Sequence, residues 1–489
     1  MCTRLINLAR QLAKALGLSS PSPTSSRVPT ADSQLNFLIE ALKATAESDG
    51  NAEVVYPLLQ ANLDKLDDNL ALLLRDWATA TLAEVEPKQA QSIAGVIGNF
   101  SNLILKFPLG SRVTNLEIAI TGYEVVGTVF TREAFPQDWA STQNNLANAY
   151  SDRIRGDKAD NLENAIAFFQ AALQVRTREA FPQEWAMTQN NLAIAYRNRI
   201  RGDKADNLEN AIAFFQAALQ VYTREAFPQE WATTQNNLAI AYSDRIRGDK
   251  ADNLESAIAF FQAALQVRTR EAFPQEWAMT QNNLAIAYSD RIRGDKADNL
   301  ESAIASYQAA LQIYSREAFP QHWAMTQNNL AIAYRNRIRG DKADNLEHAI
   351  AFYQAALQVR TREAFPQEWA MTQNNLATAY SDRIRGDKAD NLESAIASYQ
   401  AALQIYSREA FPQHWAMTQN NLAIAYRNRI RGDKADNLEH AIAFYQAALQ
   451  VRTREAFPQE WAMTQNNLAT AYSDRIRGDK ADNLESAIA

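Results

Sequence analysis

The sequence predicts an all-α fold, an α-solenoid built from antiparallel helix hairpins, and three observations support this prediction. A 46-residue unit recurs with few changes from position 135 to the end of the 489-residue chain. Each unit contains two stretches in which apolar residues recur at helical spacing. A glycine and a Phe-Pro dipeptide interrupt the chain between these stretches. Because so short a unit cannot bury its own apolar face, successive units must stack on one another.

The tryptophans define the period of the repeat. Seven units are complete, and an eighth begins at Phe457 and runs to Ala489. The tryptophans that lie 46 residues apart are Trp139, Trp185, Trp231, Trp277, Trp323, Trp369, Trp415 and Trp461.

Composition and charge narrow the classes of partner. The formal net charge is −7, and the charges within one repeat balance, so no basic stripe indicates a nucleic-acid interface. Cys2 is the one cysteine of the chain, which excludes an intramolecular disulfide and favours a reducing compartment. No apolar run approaches the roughly 20 residues that cross a bilayer. We therefore expect a cytoplasmic protein.

The first 134 residues differ from the regular units. Residues 1–31 are predicted to form a helix, over residues 1–18, and a flexible Ser/Pro-rich linker. That helix is either a loosely ordered terminus or a cationic amphipathic segment that docks on a membrane or a partner. Residues 32–134 are helical by pattern, and residues 89–134 form a divergent copy of the unit. Such a copy is typical of a capping repeat, so we divide the chain into residues 1–31, 32–134 and 135–489.

Local signals predict the first helix of the regular unit. Pro182 suits the first turn, where its missing N–H costs nothing, and Glu184 favours the positive end of the helix dipole. Trp185, Leu192, Tyr196 and Ile200 form one apolar stripe. Gly202 can adopt the left-handed conformation that ends a helix, so we expect this helix to span residues 182–201.

Other signals predict the second helix. Residues 206–209, Asp-Asn-Leu-Glu, are predicted to form its capping box. The helix is expected to end near Arg224, because Phe227-Pro228 forces the chain out of helical geometry. The predicted buried face consists of Leu208, Ala211, Ile212, Phe215, Ala218, Leu219 and Tyr222.

These helices resemble known repeats. The first carries Leu-Ala-x-x-Tyr at residues 192–196 and the second Ala-x-x-x-Phe-x-x-Ala at residues 211–218, a pattern similar to the tetratricopeptide repeat. The run TQNNLA is similar to kinesin-light-chain repeats, and FPQEWAMTQNNLAIAY with RIRGDKADNLE resembles bacterial TPR-CHAT proteins. The resemblance implies a right-handed solenoid of lengthened tetratricopeptide hairpins that binds partners. In those relatives a caspase-like CHAT domain often follows the array, and this chain has no such domain.

Motifs for catalysis and for cofactors are missing from the sequence. A thiol enzyme pairs a cysteine with a histidine, whereas Cys2 lies far from the four histidines. His322, His348, His414 and His440 replace polar residues of other repeats, which indicates solvated side chains rather than metal ligands. We expect no catalytic residues, no bound metal and no cofactor.

The family resemblance also predicts a binding surface. It places Met187, Asn190, Ile194 and Arg197 on the helix side that lines the concave groove, with Asn191 close by. A file of amides at regular spacing could hydrogen-bond the backbone of an extended peptide; alternatively, the amides are solvated or bridge adjacent hairpins. The candidate peptide-binding residues are Asn144, Asn190, Ile194, Arg197, Asn236, Asn282, Asn328, Arg335, Asn374, Asn420 and Asn466.

The sequence thus predicts a non-catalytic scaffold for proteins or peptides that serves as the sensor or adaptor arm of a larger effector. Two other hypotheses remain open: a fragment of a CHAT-type caspase-like protease, and a structural spacer. The sequence does not indicate an oligomeric state.

Overall fold

A computed structural model describes residues 31–488, and the helix and linker predicted for the N-terminus, with their possible membrane contact, lie almost entirely outside this range. The described residues form 21 α-helices and one 3-10 helix, Leu63–Lys65, without a β-strand. The all-α prediction is confirmed. The chain divides into two compact units, Met1–Gly248 and Asp249–Ala489.

Five helices precede the first regular repeat and share one core. Leu38, Leu70 and Phe100 are fully buried in this core, and Ala149 of the first regular repeat closes one side of it. The last two of the five helices pack against each other and lie where the sequence predicts a divergent copy of the repeat. The five helices are α1 (Ala31–Glu47), α2 (Ala52–Gln60), α3 (Asp68–Glu84), α4 (Pro87–Lys106) and α5 (Arg112–Val129).

Each regular repeat consists of a first helix, called the A-helix, and a second helix, called the B-helix. Within a unit the hairpins stack, so that α13, for example, packs on both α12 and α14. The A-helices are α6 (Pro136–Asp152), α8 (Pro182–Asn198), α10 (Pro228–Asp244), α12 (Pro274–Asp290), α14 (Pro320–Asn336), α16 (Pro366–Asp382), α18 (Pro412–Arg427) and α20 (Pro458–Ser473). The B-helices are α7 (Lys158–Leu173), α9 (Lys204–Ala218), α11 (Lys250–Leu265), α13 (Lys296–Ala310), α15 (Lys342–Leu357), α17 (Lys388–Leu403), α19 (Lys434–Leu449) and α21 (Lys480–Ile488).

The A-helix begins where the sequence predicts and ends earlier. Pro182 occupies its first position. The helix ends at Asn198 rather than at residue 201, because Arg199 has an extended backbone with φ −57° and ψ 130°. Gly202 does have a positive φ of 80°, but it shapes the loop beyond the helix. This left-handed backbone conformation is unfavourable for residues with a side chain, which explains the glycine at this position.

The B-helix also differs from the prediction at both ends. Its N-cap is Asp203, whose carboxylate accepts a hydrogen bond from the backbone N–H of Asp206, so the capping interaction lies three residues before the predicted box. Glu209 instead pairs with Arg245 of the next repeat. The helix ends at Ala218 and not near Arg224, since the chain turns there before the next Phe-Pro.

The core of the array lies between consecutive hairpins. Ile166 and Phe169 of α7 pack with Leu192 and Ala195 of α8, which belongs to the following repeat. The predicted buried face of the B-helix is confirmed except at one residue, Leu219, which is half-buried. The predicted apolar stripe of the A-helix is wrong at Ile200, which lies in the loop and is 60% exposed because the helix has already ended.

An ion pair joins each hairpin to the one before it. Arg199 donates from Nε and Nη2 to the two carboxylate oxygens of Glu163, both at 2.7 Å. Only about a quarter of either side chain is exposed (27% and 26%), and Arg199 also lies over the ring of Tyr196. A bidentate pair of this kind is stronger than a single exposed ion pair. The pairs are Arg153–Glu117, Arg199–Glu163, Arg245–Glu209, Arg291–Glu255, Arg337–Glu301, Arg383–Glu347, Arg429–Glu393 and Arg475–Glu439.

This ion pair predicts sensitivity to acid. Hydrogen bonds from Arg337 hold the pKa of Glu301 below its usual range. A lowered pKa stabilises the fold above the pKa of the unfolded glutamate, about 4.3, and this stability is lost as the pH falls through the folded pKa. We expect Glu301→Gln to lower the free energy of unfolding by about 1 kcal/mol at neutral pH, measured by urea unfolding.

The difference in unfolding free energy between Glu301→Gln and the parent should shrink as the pH falls below about 4.3, the pKa of the unfolded glutamate. Glu317→Gln is the control, because Glu317 forms no ion pair with another described residue. A difference for Glu301→Gln that stays constant down to strongly acidic pH would contradict the role of the pair.

A second prediction concerns two buried tyrosines at the same position of the B-helix. The hydroxyl of Tyr353 has no hydrogen-bond partner among residues 31–488, whereas that of Tyr399 lies 3.0 Å from Thr378 Oγ1. A buried hydroxyl without a partner costs stability, and Phe215 occupies this position in another repeat. We expect Tyr353→Phe to raise the free energy of unfolding by about 1 kcal/mol and Tyr399→Phe to lower it by a similar amount. The reverse order in calorimetry or urea unfolding would refute the assignment.

Candidate functional site

The predicted asparagine series lies along the A-helices, and most of its side chains are buried. Asn190 is half-buried and Asn466 is exposed. The others are between 1% and 4% exposed: Asn144, Asn236, Asn282, Asn328, Asn374 and Asn420. Side chains that are so buried contact neighbouring helices and are not accessible to a ligand.

A threonine of the next A-helix contacts several of these amides. Thr326 Oγ1 donates to Asn282 Oδ1 at 3.3 Å, and Thr418 Oγ1 donates to Asn374 Oδ1 at 3.2 Å. Thr234 makes the same contact with Asn190 at 3.3 Å. In these repeats the amides therefore bridge adjacent hairpins.

In other repeats the neighbouring asparagines of the Asn191 type complete the bridge. Asn328 Nδ2 donates to Asn329 Oδ1 at 3.2 Å, and Asn375 Nδ2 donates to Asn328 Oδ1 at 3.3 Å. Asn420 and Asn467 repeat the second contact one block later, at 3.3 Å. In these repeats the asparagines thus tie neighbouring A-helices of one unit together. Asn190 differs in being half-buried rather than buried, and none of the described residues accepts a hydrogen bond from its Nδ2.

The remaining predicted site residues lie on the same helices and are more accessible. Ile194, Arg197 and Arg335 are half-buried. The positive charge of Arg335 lies near Tyr353 and Tyr399, where it opposes the rise that burial causes in the pKa of each phenol. This part of the A-helix therefore combines an accessible apolar side chain with a cation.

One position that the sequence interpretation overlooked alternates between arginine and tyrosine. It lies just after the B-helix, four residues beyond the alanine that ends α9. The strict alternation of arginine and tyrosine with a period of two repeats is the sequence signal that could have identified this position. The seven residues are Arg176, Tyr222, Arg268, Tyr314, Arg360, Tyr406 and Arg452.

The arginines of this position are buried, and Arg176, Arg360 and Arg452 form no ion pair with a described carboxylate. They are between 4% and 7% exposed. Arg360 Nη1 donates to Thr372 Oγ1 of the next A-helix at 3.0 Å, and no described Asp or Glu forms an ion pair with Arg360. Burial lowers the pKa of Arg360, while the more distant Glu368 opposes that change. In these repeats the threonine thus accepts from a guanidinium, a contact that the tyrosine repeats lack; the threonine–asparagine contact occurs in the tyrosine repeats and also between Thr188 and Asn144, at 3.4 Å.

The tyrosines of this position make other contacts at the same end of the hairpin. The hydroxyl of Tyr222 donates to the backbone oxygen of Gln183 at 3.2 Å, and its ring packs edge-on against Phe227 with centroids 5.7 Å apart. Burial, together with the nearby carboxylates of Glu230 and Glu184, raises the pKa of Tyr222 to about 12. Tyr222 is therefore a fixed, neutral aromatic surface.

A cavity of about 230 Å³ opens beside Tyr222 between α8 and α10. Two residues predicted to face the groove, Met187 and Asn190, line it together with Tyr222 and Glu230. The structure thus brings these two predicted residues together with a tyrosine and a carboxylate that the sequence interpretation did not assign to the binding surface.

Other site chemistries have little support among residues 31–488. These residues include no group of three or more His, Cys, Asp or Glu side chains that could hold a metal ion. None of their helices is both long and apolar enough to cross a membrane. The histidines are exposed, as expected, and His322 stacks on Tyr314 with ring centroids 5.0 Å apart.

Comparison with known proteins identifies the repeat. The tetratricopeptide-repeat family model matches five segments, residues 139–179, 277–319, 323–362, 369–411 and 415–454. These segments are tetratricopeptide repeats, which confirms that part of the resemblance inferred from the sequence. No curated protein matches the chain.

Solved structures of similar fold are distant in sequence. The apo form of the quorum sensor NprR from B. thuringiensis aligns with a TM-score of 0.51 and 14% identity over 86% of this chain and 98% of NprR. The apo form of RapI aligns with a TM-score of 0.45 and 12% identity over 79% of this chain and 98% of RapI. A Rap conjugation gene regulator of the plasmid pLS20, solved in complex with the Phr* peptide, aligns with a TM-score of 0.40 and 13% identity. The alignment covers 78% of this chain and 95% of the regulator. The NprR match supports the helical-repeat fold, and the α-solenoid prediction is confirmed.

The alternation predicts unequal roles for equivalent threonines. Thr372→Val removes the acceptor of a buried guanidinium, whereas Thr326→Val removes a hydroxyl that donates to an amide. We expect Thr372→Val to cost about 2–3 kcal/mol of unfolding free energy and Thr326→Val about 1 kcal/mol, because unpaired buried charges are the more expensive. Hydrogen exchange of the flanking amides and urea unfolding would measure both. Equal costs would contradict the difference between the two kinds of repeat.

Proposed function

We propose that the chain is a non-catalytic scaffold that binds a protein or peptide along the A-helix side of its repeats. The observation that supports this most directly is the cavity between α8 and α10, because it opens among residues that the repeat pattern assigns to the binding face. Repeat arrays of this kind use extended surfaces of successive helices for recognition.

The accessible chemistry of this face suits an extended polypeptide. Met187 and Ile286 are exposed apolar side chains on A-helices, and the half-buried Ile194 and Arg197 lie further along the same helix as Met187. Apolar side chains at regular intervals provide contacts for alternate residues of a peptide, and polar groups between them provide hydrogen bonds. Such a surface has no need of a reactive group.

Within this proposal the asparagines have two roles. Asn190 contacts the bound backbone directly, because its Nδ2 is available and the cavity adjoins it. The buried asparagines, such as Asn282 and Asn328, hold neighbouring A-helices at a fixed spacing, so they act on a partner through the position of the helices.

We further propose that the scaffold is the sensor or adaptor arm of a larger effector. The resemblance of the repeats to TPR-CHAT proteins suggests this role; the other hypotheses are a fragment of a CHAT-type protease and a structural spacer. Sequencing the gene beyond the codon for Ala489 separates them. A downstream frame that encodes a domain with paired His and Cys would support an effector arm.

A peptide array tests binding with substitutions that the chain itself uses. The binding-face variant combines Ile194→Asn, Arg197→Ser, Ile286→Thr and Arg335→Ser, and equivalent repeats carry Asn148, Ser151, Thr378 and Ser381. The control variant changes the half-buried B-helix residues Ser302 and Ser394 to Asn, the residue at the equivalent position 210.

We expect the binding-face variant to lose about tenfold or more in affinity, and the control variant to bind as the parent does, because losing a few interface side chains typically costs more than 1 kcal/mol. Circular dichroism of each variant checks the fold. Equal binding by both variants would place the partner on another surface. Failure of the parent chain to bind any peptide or protein would favour the spacer.

A further inference from the structure

We propose that the cavity beside Tyr222 binds the basic side chain, lysine or arginine, of a partner polypeptide. This inference rests on the proposed function and adds the chemistry of one pocket to it. Seven residues line the cavity: Met187, Asn190, Tyr222, Gln229, Glu230, Thr233 and Thr234.

The walls of the cavity fit a long aliphatic chain that carries a cation. Met187 and the ring of Tyr222 provide apolar surface for methylene groups, and a ring face also attracts a cation. The hydroxyl of Tyr222 is engaged by Gln183, which keeps the ring in place. Asn190 Oδ1 already accepts from Thr234, so its Nδ2 remains to hold the backbone of the partner.

Carboxylates give the cavity a negative charge, and the buried Arg176 lies near enough to Glu184 to interact with it. Glu230 lines the cavity, and Glu184 lies close enough to Tyr222 to act on its pKa. Neither carboxylate forms an ion pair with a side chain of the part of the chain that the structure describes. A lysine or arginine in the cavity would place its cation beside the exposed carboxylate of Glu230 and form a solvent-exposed ion pair with it.

Two sister positions lack this combination, although they also carry tyrosine. Beside Tyr314 and Tyr406, histidines replace Glu230, and each histidine packs against the tyrosine ring with centroids 5.0 Å apart. Methionine also replaces Thr233 at both positions, as Met325 and Met417. Methionine is larger than threonine and the imidazole covers the tyrosine ring, so we expect less room for a ligand side chain at these two positions.

In the arginine repeats the protein itself provides the cation. Arg176 and Arg360 lie where Tyr222 lies in its repeat, and each donates to a threonine of the next A-helix. A second basic side chain would be repelled there. The Tyr222 repeat therefore stands out among the described repeats as the position suited to an external cation.

Methionine methyl NMR of the full chain provides a direct test. The chain has seven methionines, and Met187→Leu assigns the signal of Met187. The probe is N-acetyl-lysine methylamide, and the matched neutral probe is N-acetyl-norleucine methylamide. We expect the lysine probe to shift the Met187 signal with a dissociation constant on the order of 1 mM, and to bind about tenfold more tightly than the norleucine probe.

The chain contains its own reference signals. Met279 and Met371 stand beside Tyr314 and Tyr406 as Met187 stands beside Tyr222. Their signals should not move with the lysine probe. Equal shifts at all three methionines, or equal affinity of the two probes, would overturn the assignment of this cavity.

Three variants separate charge from shape. Glu230→Gln keeps the shape and should weaken the lysine probe about twofold to fivefold, as expected for a solvent-exposed ion pair. Thr233→Met fills the cavity with the residue of six other repeats and should abolish the Met187 shift. Glu368→Gln is the control and should change nothing at Met187. Unaltered binding of the lysine probe to Thr233→Met would refute the site.

The same probes distinguish this inference from the proposed function. If array peptides bind the parent chain, and replacement of their lysines and arginines by norleucine changes nothing, the pocket assignment fails while the scaffold remains. If the lysine probe binds at Met187 and no polypeptide binds, the pocket stands and the scaffold fails. Added salt should weaken the lysine probe and leave the norleucine probe unchanged, because screening acts on the charge alone.

Discussion

Every hairpin of this protein has an apolar face that only the next hairpin can cover, and this constraint explains most of the repeat. Phe169 of one B-helix is buried because Leu192 and Ala195 of the following A-helix lie against it. Small alanines at the contact allow the helices to approach closely, so a larger residue there would push two repeats apart. Stability therefore depends on neighbours within each unit more than on any single repeat.

Polar joints at the two ends of the hairpin complete the apolar contact and differ in character. At one end, the same bidentate Arg–Glu pair recurs in every repeat, as in Arg199 and Glu163. At the other end, the residue after the B-helix alternates between a buried guanidinium and a phenol, as in Arg176 and Tyr222. The uniform end maintains the stacking, while the alternating end gives successive repeats different chemistry.

The sequence was sufficient to predict that the helices form, but it was not sufficient to predict where they end. Helical spacing and Pro182 predict the A-helix correctly, because both act within a few residues. The helix stops at Asn198 since Arg199 leaves helical geometry and pairs with a glutamate of another repeat, which no local pattern contains. The same limit applies to the site. The spacing predicts that the asparagines form files, but the burial of Asn282 depends on the distance between two A-helices.

Because Arg and Tyr alternate, two hairpins together form the unit whose duplication or deletion leaves the order of these residues unchanged. Residues 273–364 and 365–456 differ at a single position, Ile286 against Thr378, so a 92-residue segment has been copied as a block. Recombination that removed one hairpin would place two buried guanidinium groups, or two phenols, in consecutive repeats. Loss or gain of two hairpins preserves the order of cation and phenol. Alleles of this locus should therefore differ in length by multiples of two repeats.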